Sequence, residues 1–255
     1  MLLTIKNLTV NVQDTHETSL VNDMHLEISE GSVVALVGGS GSGKTTTGLS
    51  ILRLLPFGLK MTQGQIIFQG ENILEKTENQ MRQLRGKEIS MVFQEPLTAF
   101  NPVFSIGTQI DEVLRYHTAF NAAQRRERVM ELLRLVGVDD PQRVAAQYPH
   151  QLSGGLRQRA MIAQAIAGSP KLLIADEPTS NLDVTLQAKI IELFIKLKTE
   201  LKLSILLITH DLGMVQYLAD HVAVMRLGQI VEQGKIREVI QRPAHSYTRQ
   251  LIEAI

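Results

Sequence analysis

Gly38-Gly39-Ser40-Gly41-Ser42-Gly43-Lys44-Thr45 decides the fold, because it meets every required position of a phosphate-binding loop. Closely spaced glycines let successive backbone N–H groups converge on phosphate oxygens, and the helix predicted to start near Gly43 adds the positive end of its dipole. Lys44 is placed to reach the terminal phosphates, Thr45 to ligate Mg²⁺, and Thr46 completes the nucleotide-binding run. A glycine-rich turn with an exposed lysine could share this spelling, but not its setting between a buried strand pattern at 33–37 and a helix pattern at 45–55 that stops at Pro56.

Working outward, Leu3, Ile5, Leu8 and Val10, then Met24, Leu26 and Ile28, mostly alternate with polar residues and predict an antiparallel layer, interrupted by the polar stretch 13–19. Short strands are expected at 65–68 and 89–93. Between 106 and 168 the period becomes helical, with Val129, Leu132, Leu133 and Val136 on one face and breaks at Gly137 and Pro141. The β/α rhythm resumes with a strand at 172–175 and a helix at 184–201 whose Ile190, Phe194, Leu197 and Leu201 share a face. A strand at 205–208 follows, then a hairpin of 222–225 and 229–232 around Leu227-Gly228. The expectation is an α/β fold: a parallel-sheet core formed by 1–94 and 169–255, an N-terminal antiparallel β layer, and a helical insertion at 95–168.

The strand at 172–175 runs into Asp176-Glu177, which places two carboxylates at the carboxyl edge of a parallel sheet, where ligands bind. Asp176 is expected in the Mg²⁺ shell, and Glu177 is expected to orient and polarise an attacking water. An acidic pair at a helix start could also serve the helix dipole alone. Beside an intact phosphate loop the catalytic reading is stronger.

Ser153-Gly154-Gly155, inside Leu152-Ser153-Gly154-Gly155-Leu156-Arg157-Gln158-Arg159, offers a hydroxyl and backbone donors at a second helix start. Standing between the phosphate loop and Asp176-Glu177, it resembles the signature motif of ABC ATPases, which implies a P-loop NTPase core of the RecA-like kind with ATP and Mg²⁺ as ligands. The resemblance runs from about Leu8 to the end. It implies that Gln94 is the glutamine that senses Mg²⁺ and the γ-phosphate, that Ser180-Asn181-Leu182-Asp183 is the D-loop, and that His210 is the switch histidine. It also implies ATP sandwiched head to tail between two such chains, with Ser153, Gly154 and Gly155 serving the partner's nucleotide.

The same likeness implies membrane permease subunits, a second ATPase subunit, identical or not, and a substrate-binding protein, on the cytoplasmic face of the membrane. Met91-Val92-Phe93-Gln94-Glu95-Pro96 and the tail Arg242-Pro243-Ala244-His245-Ser246-Tyr247-Thr248-Arg249 resemble the dipeptide, oligopeptide and nickel importers. A short tail without cysteine and the loop spelling favour the nickel or metallophore branch, with peptides as the alternative cargo. Val12 stands where many relatives place an aromatic ring under adenine, with His16 as a substitute, and Asn181 replaces the usual small D-loop residue.

Composition sets the outer limits. Hydrophobic residues make up 44% and charged ones 20% of the chain, enough apolar material for a large core. Lys+Arg and Asp+Glu both number 26, so the basic excess of a nucleic-acid binder is missing, and no nucleic-acid partner is expected. With no cysteine, thiolate zinc sites and iron–sulfur clusters are excluded. A soluble ABC ATPase acting on DNA or ribosomes is the rival of another class, disfavoured by this charge balance and by the lack of a long insertion.

Overall fold

Alternation at the N-terminus becomes β1 (Leu3–Val12) and β2 (Ser19–Ile28), paired antiparallel with Leu3 opposite Ile28 and Val10 opposite Val21. The structure, a computed structural model, describes residues 1–13, 18–180 and 182–253; His16 and Asn181 lie outside the described residues. The all-apolar run becomes β3 (Val33–Val37), with every residue buried, followed by α1 (Lys44–Leu52). That helix stops earlier than Pro56 requires: Arg53 takes the left-handed conformation at φ 53, and its N–H returns to the carbonyls of Leu49 and Ser50. β4 is longer than expected (Leu59–Phe68), because its polar first half pairs with the end of β1, Val12 lying opposite Leu59. β5 (Glu71–Asn72) completes a four-stranded sheet in the order β2-β1-β4-β5, and α2 (Glu78–Leu84) follows.

Cα proximity divides the chain into two compact units, Met1–Met81 with Lys202–Ile255, and Arg82–Leu201. These divisions fall elsewhere than the 94/95 and 168/169 boundaries expected from the change of period. The second unit holds β6 (Ile89–Val92), α3 (Pro96–Ala99), α4 (Ile106–His117), α5 (Ala122–Leu135), α6 (Pro141–Ala146), α7 (Gly154–Ile166), β7 (Leu172–Asp176) and α8 (Val184–Leu201). β6 and β7 are parallel and fully buried, with Val92 opposite Ala175. Each central helix carries its own start signal. Ser105 caps α4, Asn121 and Gln124 form a capping box on α5, and Asp140 caps α6 ahead of Pro141. The predicted stripe Val129, Leu132, Leu133 and Val136 is buried. On α8, Ile190, Phe194 and Leu197 are buried as expected, but Leu201 is 41% exposed, because the helix ends there and its last turn leaves the core.

The chain then returns to the first unit through β8 (Ser204–Thr209), α9 (Leu212–Leu218), β9 (His221–Arg226), β10 (Gln229–Lys235), α10 (Ile236–Gln241) and α11 (Ser246–Glu253). β3 lies between β8 and β9, parallel to both, with Val37 opposite Thr209 and Val224. β9 and β10 form the antiparallel hairpin predicted around Leu227-Gly228. No helix among the described residues is long and apolar enough to cross a membrane.

Candidate functional site

In the first unit the phosphate-binding loop leaves the carboxyl end of β3. Two of its glycines are required by close approach. A Cβ on Gly38 would lie 2.2 Å from the Met225 carbonyl oxygen, and one on Gly43, which has φ +105 as the N-cap of α1, would lie 2.3 Å from that of Leu20. Lys44 is buried, and its Nζ donates to the carbonyl oxygens of Gly38 at 2.8 Å and Gly39 at 2.9 Å. Ser40, Gly41 and Thr45 are exposed, while Ser42 is buried and its carbonyl accepts the Gly228 N–H at 3.0 Å. On the other side of the loop the Gly39 N–H donates to the Tyr247 hydroxyl at 2.9 Å.

Because Thr209 lies opposite Val37, the next residues, His210 and Gly38, leave neighbouring strand ends on the same edge of the sheet. His210 is exposed. Asp211 after it caps α9, accepting the Met214 N–H at 3.2 Å. Val12, half-buried, ends β1 and donates its N–H to the Thr18 carbonyl at 3.1 Å.

The second unit repeats the arrangement with carboxylates. β6 and β7 end side by side, so Gln94 and Glu177 come just after adjacent strand ends and Asp176 is the last residue of β7. Asp176 is 2% exposed, Glu177 is half-buried and Gln94 is exposed. Glu177 adopts φ +45, a left-handed conformation uncommon for a side chain of this kind. Ser180 holds it there: its hydroxyl donates to the Glu177 carbonyl at 2.8 Å and its N–H to the same oxygen at 3.1 Å. The hydroxyl also reaches the Gln94 carbonyl at 3.4 Å.

Ser153 is the N-cap of α7, its Oγ accepting the Leu156 N–H at 3.4 Å. Ser153 and Gly154 are exposed and Gly155 is buried near Leu186, whose side chain would meet a Cβ at 3.1 Å. Arg157 fixes the turn before the helix by donating to the carbonyls of Pro149 at 3.0 Å and Leu152 at 2.8 Å. Gln158, 4% exposed, donates to the Pro178 carbonyl at 2.7 Å. Asp183 caps α8 through the Leu186 N–H at 2.9 Å.

Gln94, the signature segment and the carboxylate loop therefore belong to one unit, and the phosphate loop and His210 to the other. Sequence reasoning placed Ser180 in the D-loop, Gly228 in a hairpin turn, and Gln158 and Tyr247 inside quoted motifs, but it foresaw none of their hydrogen bonds. Hydrogen bonds between distant chain segments leave no periodic signal, so only their places inside motifs could have marked them.

A glycine-rich loop between a buried parallel strand and a helix, with a carboxylate pair ending another strand, defines a P-loop nucleotide-binding fold. The family model described as ABC transporter matches residues 21–180, and the chain belongs to that family as an ATP-binding cassette, an ATPase. The peptidoglycan transport ATP-binding protein YejF of Agrobacterium fabrum is 49% identical over 99% of the chain, which spans only 47% of that protein's length. The oligopeptide transport ATP-binding proteins OppD and AppD of Bacillus subtilis are 43% and 48% identical over 100% and 92% of the chain, which covers 72% of each. A dimeric ATP-binding cassette solved in a post-hydrolysis state with ADP and Pi superposes with a TM-score of 0.81, at 28% identity over 92% of this chain and 99% of that one. The cassette cbiO1 of Clostridium perfringens, part of the transporter complex cbiONQ, gives the same TM-score of 0.81 at 28% identity, covering 94% of this chain and 91% of that one.

The leaning towards nickel is not supported. These relatives carry oligopeptide or peptidoglycan names and extend beyond the matched length. Tail length and loop spelling are poor reporters of cargo, since a motor subunit need not touch what it moves.

Proposed function

We propose that this chain binds MgATP and hydrolyses it to power the import of peptides through a membrane complex. The observation that carries the catalytic reading is Glu177, fixed in a left-handed turn by Ser180 immediately after the buried Asp176. A main chain held this way fixes the point from which the Glu177 side chain reaches a water placed for attack on the γ-phosphorus. Residues 38–46 would hold the phosphates, with Lys44 moving from the Gly38 and Gly39 carbonyls to phosphate oxygens. Gln94 and His210 would contact the γ-phosphate from their strand ends.

Magnesium fits this donor set. Among the described residues no group of three or more His, Cys, Asp or Glu could hold a metal ion, and an ion shared with ATP would need only a few oxygen ligands from the chain. Thr45, Asp176 and Gln94 would supply the protein's oxygens, a hydroxyl, a carboxylate and a side-chain amide. The bound ion would neutralise charge on the β- and γ-phosphates.

Exposure of Ser153 and Gly154 at the start of α7 supports their use by the nucleotide of a second ATPase subunit, identical or related. Beyond Gln94, the apolar side chains of Leu97, Val103 and Phe104 are 52%, 69% and 46% exposed, which supports docking to permease subunits on the cytoplasmic membrane face. A substrate-binding protein would deliver the cargo. Peptides are preferred to nickel because relatives along nearly the whole chain are named for peptide transport.

Vesicles containing the chain with its companion subunits test this reading. ATP-dependent uptake of a labelled oligopeptide, without uptake of radiolabelled nickel, is expected. Nickel uptake alone would overturn the cargo assignment, and absence of magnesium-dependent ATP hydrolysis would overturn the whole.

A further inference from the structure

Tyr247 stands in the first turn of α11, yet its hydroxyl accepts the N–H of Gly39, which lies 208 residues earlier in the phosphate-binding loop. The peptide unit joining Gly38 to Gly39 is pinned at both ends. Its carbonyl oxygen accepts from Lys44 Nζ at 2.8 Å, and its N–H donates to Tyr247 Oη at 2.9 Å. A trans peptide directs these two groups to opposite sides, so rotating the plane breaks both bonds at once. We propose that Tyr247 is a positioning residue for the phosphate-binding loop, a brace that fixes the Gly38–Gly39 peptide and, through it, the resting place of Lys44, and so sets nucleotide affinity.

The phenol is itself held from several sides. The Arg226 guanidinium lies 5.0 Å from its ring centroid, at cation–π distance. Its backbone N–H donates to His245 Nδ1 at 3.1 Å. Ahead of it, the N–H groups of Ala244 and His245 donate to the two oxygens of Glu232 at 2.8 and 3.0 Å. Burial pushes the Glu232 carboxyl up, but the Thr248 hydroxyl, these two amides and nearby His245 outweigh it and hold the group below the usual carboxylate range. The amides are the firmer part of that hold, since the buried Thr248 hydroxyl makes no hydrogen bond of regular geometry.

Arg226 and Glu232 both belong to the β9–β10 hairpin, whose Gly228 N–H also bonds the Ser42 carbonyl. One hairpin thus supports the loop twice, directly through its turn and indirectly through Tyr247. Gly39 leaves room for the approach: a Cβ there would sit 3.2 Å from the phenol oxygen, a tight contact that would require a small shift. Without the hydroxyl, the loop must be ordered by the nucleotide itself, which lowers affinity and leaves the bond-breaking step untouched.

The inference rests on the reading of this loop as an ATP site. Wild type, Tyr247→Phe and Tyr247→Ala are compared as full chains with their companion subunits. A fluorescent ATP analogue with magnesium reports Kd, steady-state hydrolysis reports KM and kcat, and thermal melts report folding. Tyr247→Phe, which keeps the ring against Arg226, is expected to raise Kd and KM about three- to tenfold with kcat within about twofold. Tyr247→Ala is expected to do at least as much. An unchanged Kd for Tyr247→Phe, including the case where only the melting point falls, overturns the brace. So does a loss confined to kcat. Wild-type protein that binds no nucleotide refutes the reading of the loop, and the brace with it.

Discussion

Gln158 donates from its side-chain amide to the Pro178 carbonyl oxygen at 2.7 Å, tying the helix that begins at Ser153 to the loop that follows Glu177. Both partners are buried, so this bond fixes the signature helix against the turn that aims the proposed catalytic carboxylate. Gln158→Leu keeps the volume but orphans the carbonyl. A loss of about 1–3 kcal/mol of stability is expected in denaturant titration. Turnover is expected to fall about tenfold with ATP affinity retained; unchanged turnover would show that the tie does not orient the carboxylate.

Glu177→Gln preserves shape and removes the charge proposed to polarise the attacking water. Turnover should drop by at least about 100-fold while MgATP still binds. Size-exclusion chromatography with light scattering should then find an ATP-dependent dimer that persists. Wild-type hydrolysis in this variant would falsify the role given to Glu177.

Lys44→Ala removes a buried ammonium whose resting partners are the carbonyls of Gly38 and Gly39. Charge-assisted bonds to phosphate contribute about 1.5–3 kcal/mol, so ATP affinity should weaken roughly 10- to 100-fold in a binding titration. Equal affinity would contradict the cradle.

His117 offers a test of pH dependence away from the loop. Burial, and then the charge of Lys87, lower its pKa from the ordinary 6.5, and its Nδ1 is buried without a hydrogen-bond partner. The fold therefore favours the neutral ring. Its contribution to stability is present above about pH 6.5 and is lost as pH falls through the lowered value, because the unfolded chain takes up the proton first. Melting curves from about pH 7.5 down to about pH 5 should show a steeper decline for wild type than for His117→Phe. Parallel curves would remove His117 as the cause.

Signals carried within a few residues were legible. The strand Val33–Val37, the helix Val184–Leu201 and the hairpin around Leu227-Gly228 follow from hydrophobic period and turn residues. Element ends were less legible. α1 stops at Leu52 because Arg53 turns left-handed, and β4 starts at Leu59 because β1 supplies a partner, neither of which propensity records. The leaning towards nickel found no support for a related reason, since the residues that suggested it lie in the tail and the phosphate loop, where nothing marks a transported substrate.

Sequence alone determined that a phosphate-binding loop sits between a buried strand and a helix, and that Asp176-Glu177 ends another strand, because glycine spacing and apolar runs are local properties of the chain. Tertiary structure alone decided that Tyr247 reaches Gly39, that Gln158 reaches Pro178 and that Ser180 holds Glu177 in its left-handed turn. Those bonds depend on where strand pairing and helix packing deliver each donor, and hydrogen bonding requires placement to within a fraction of an ångström.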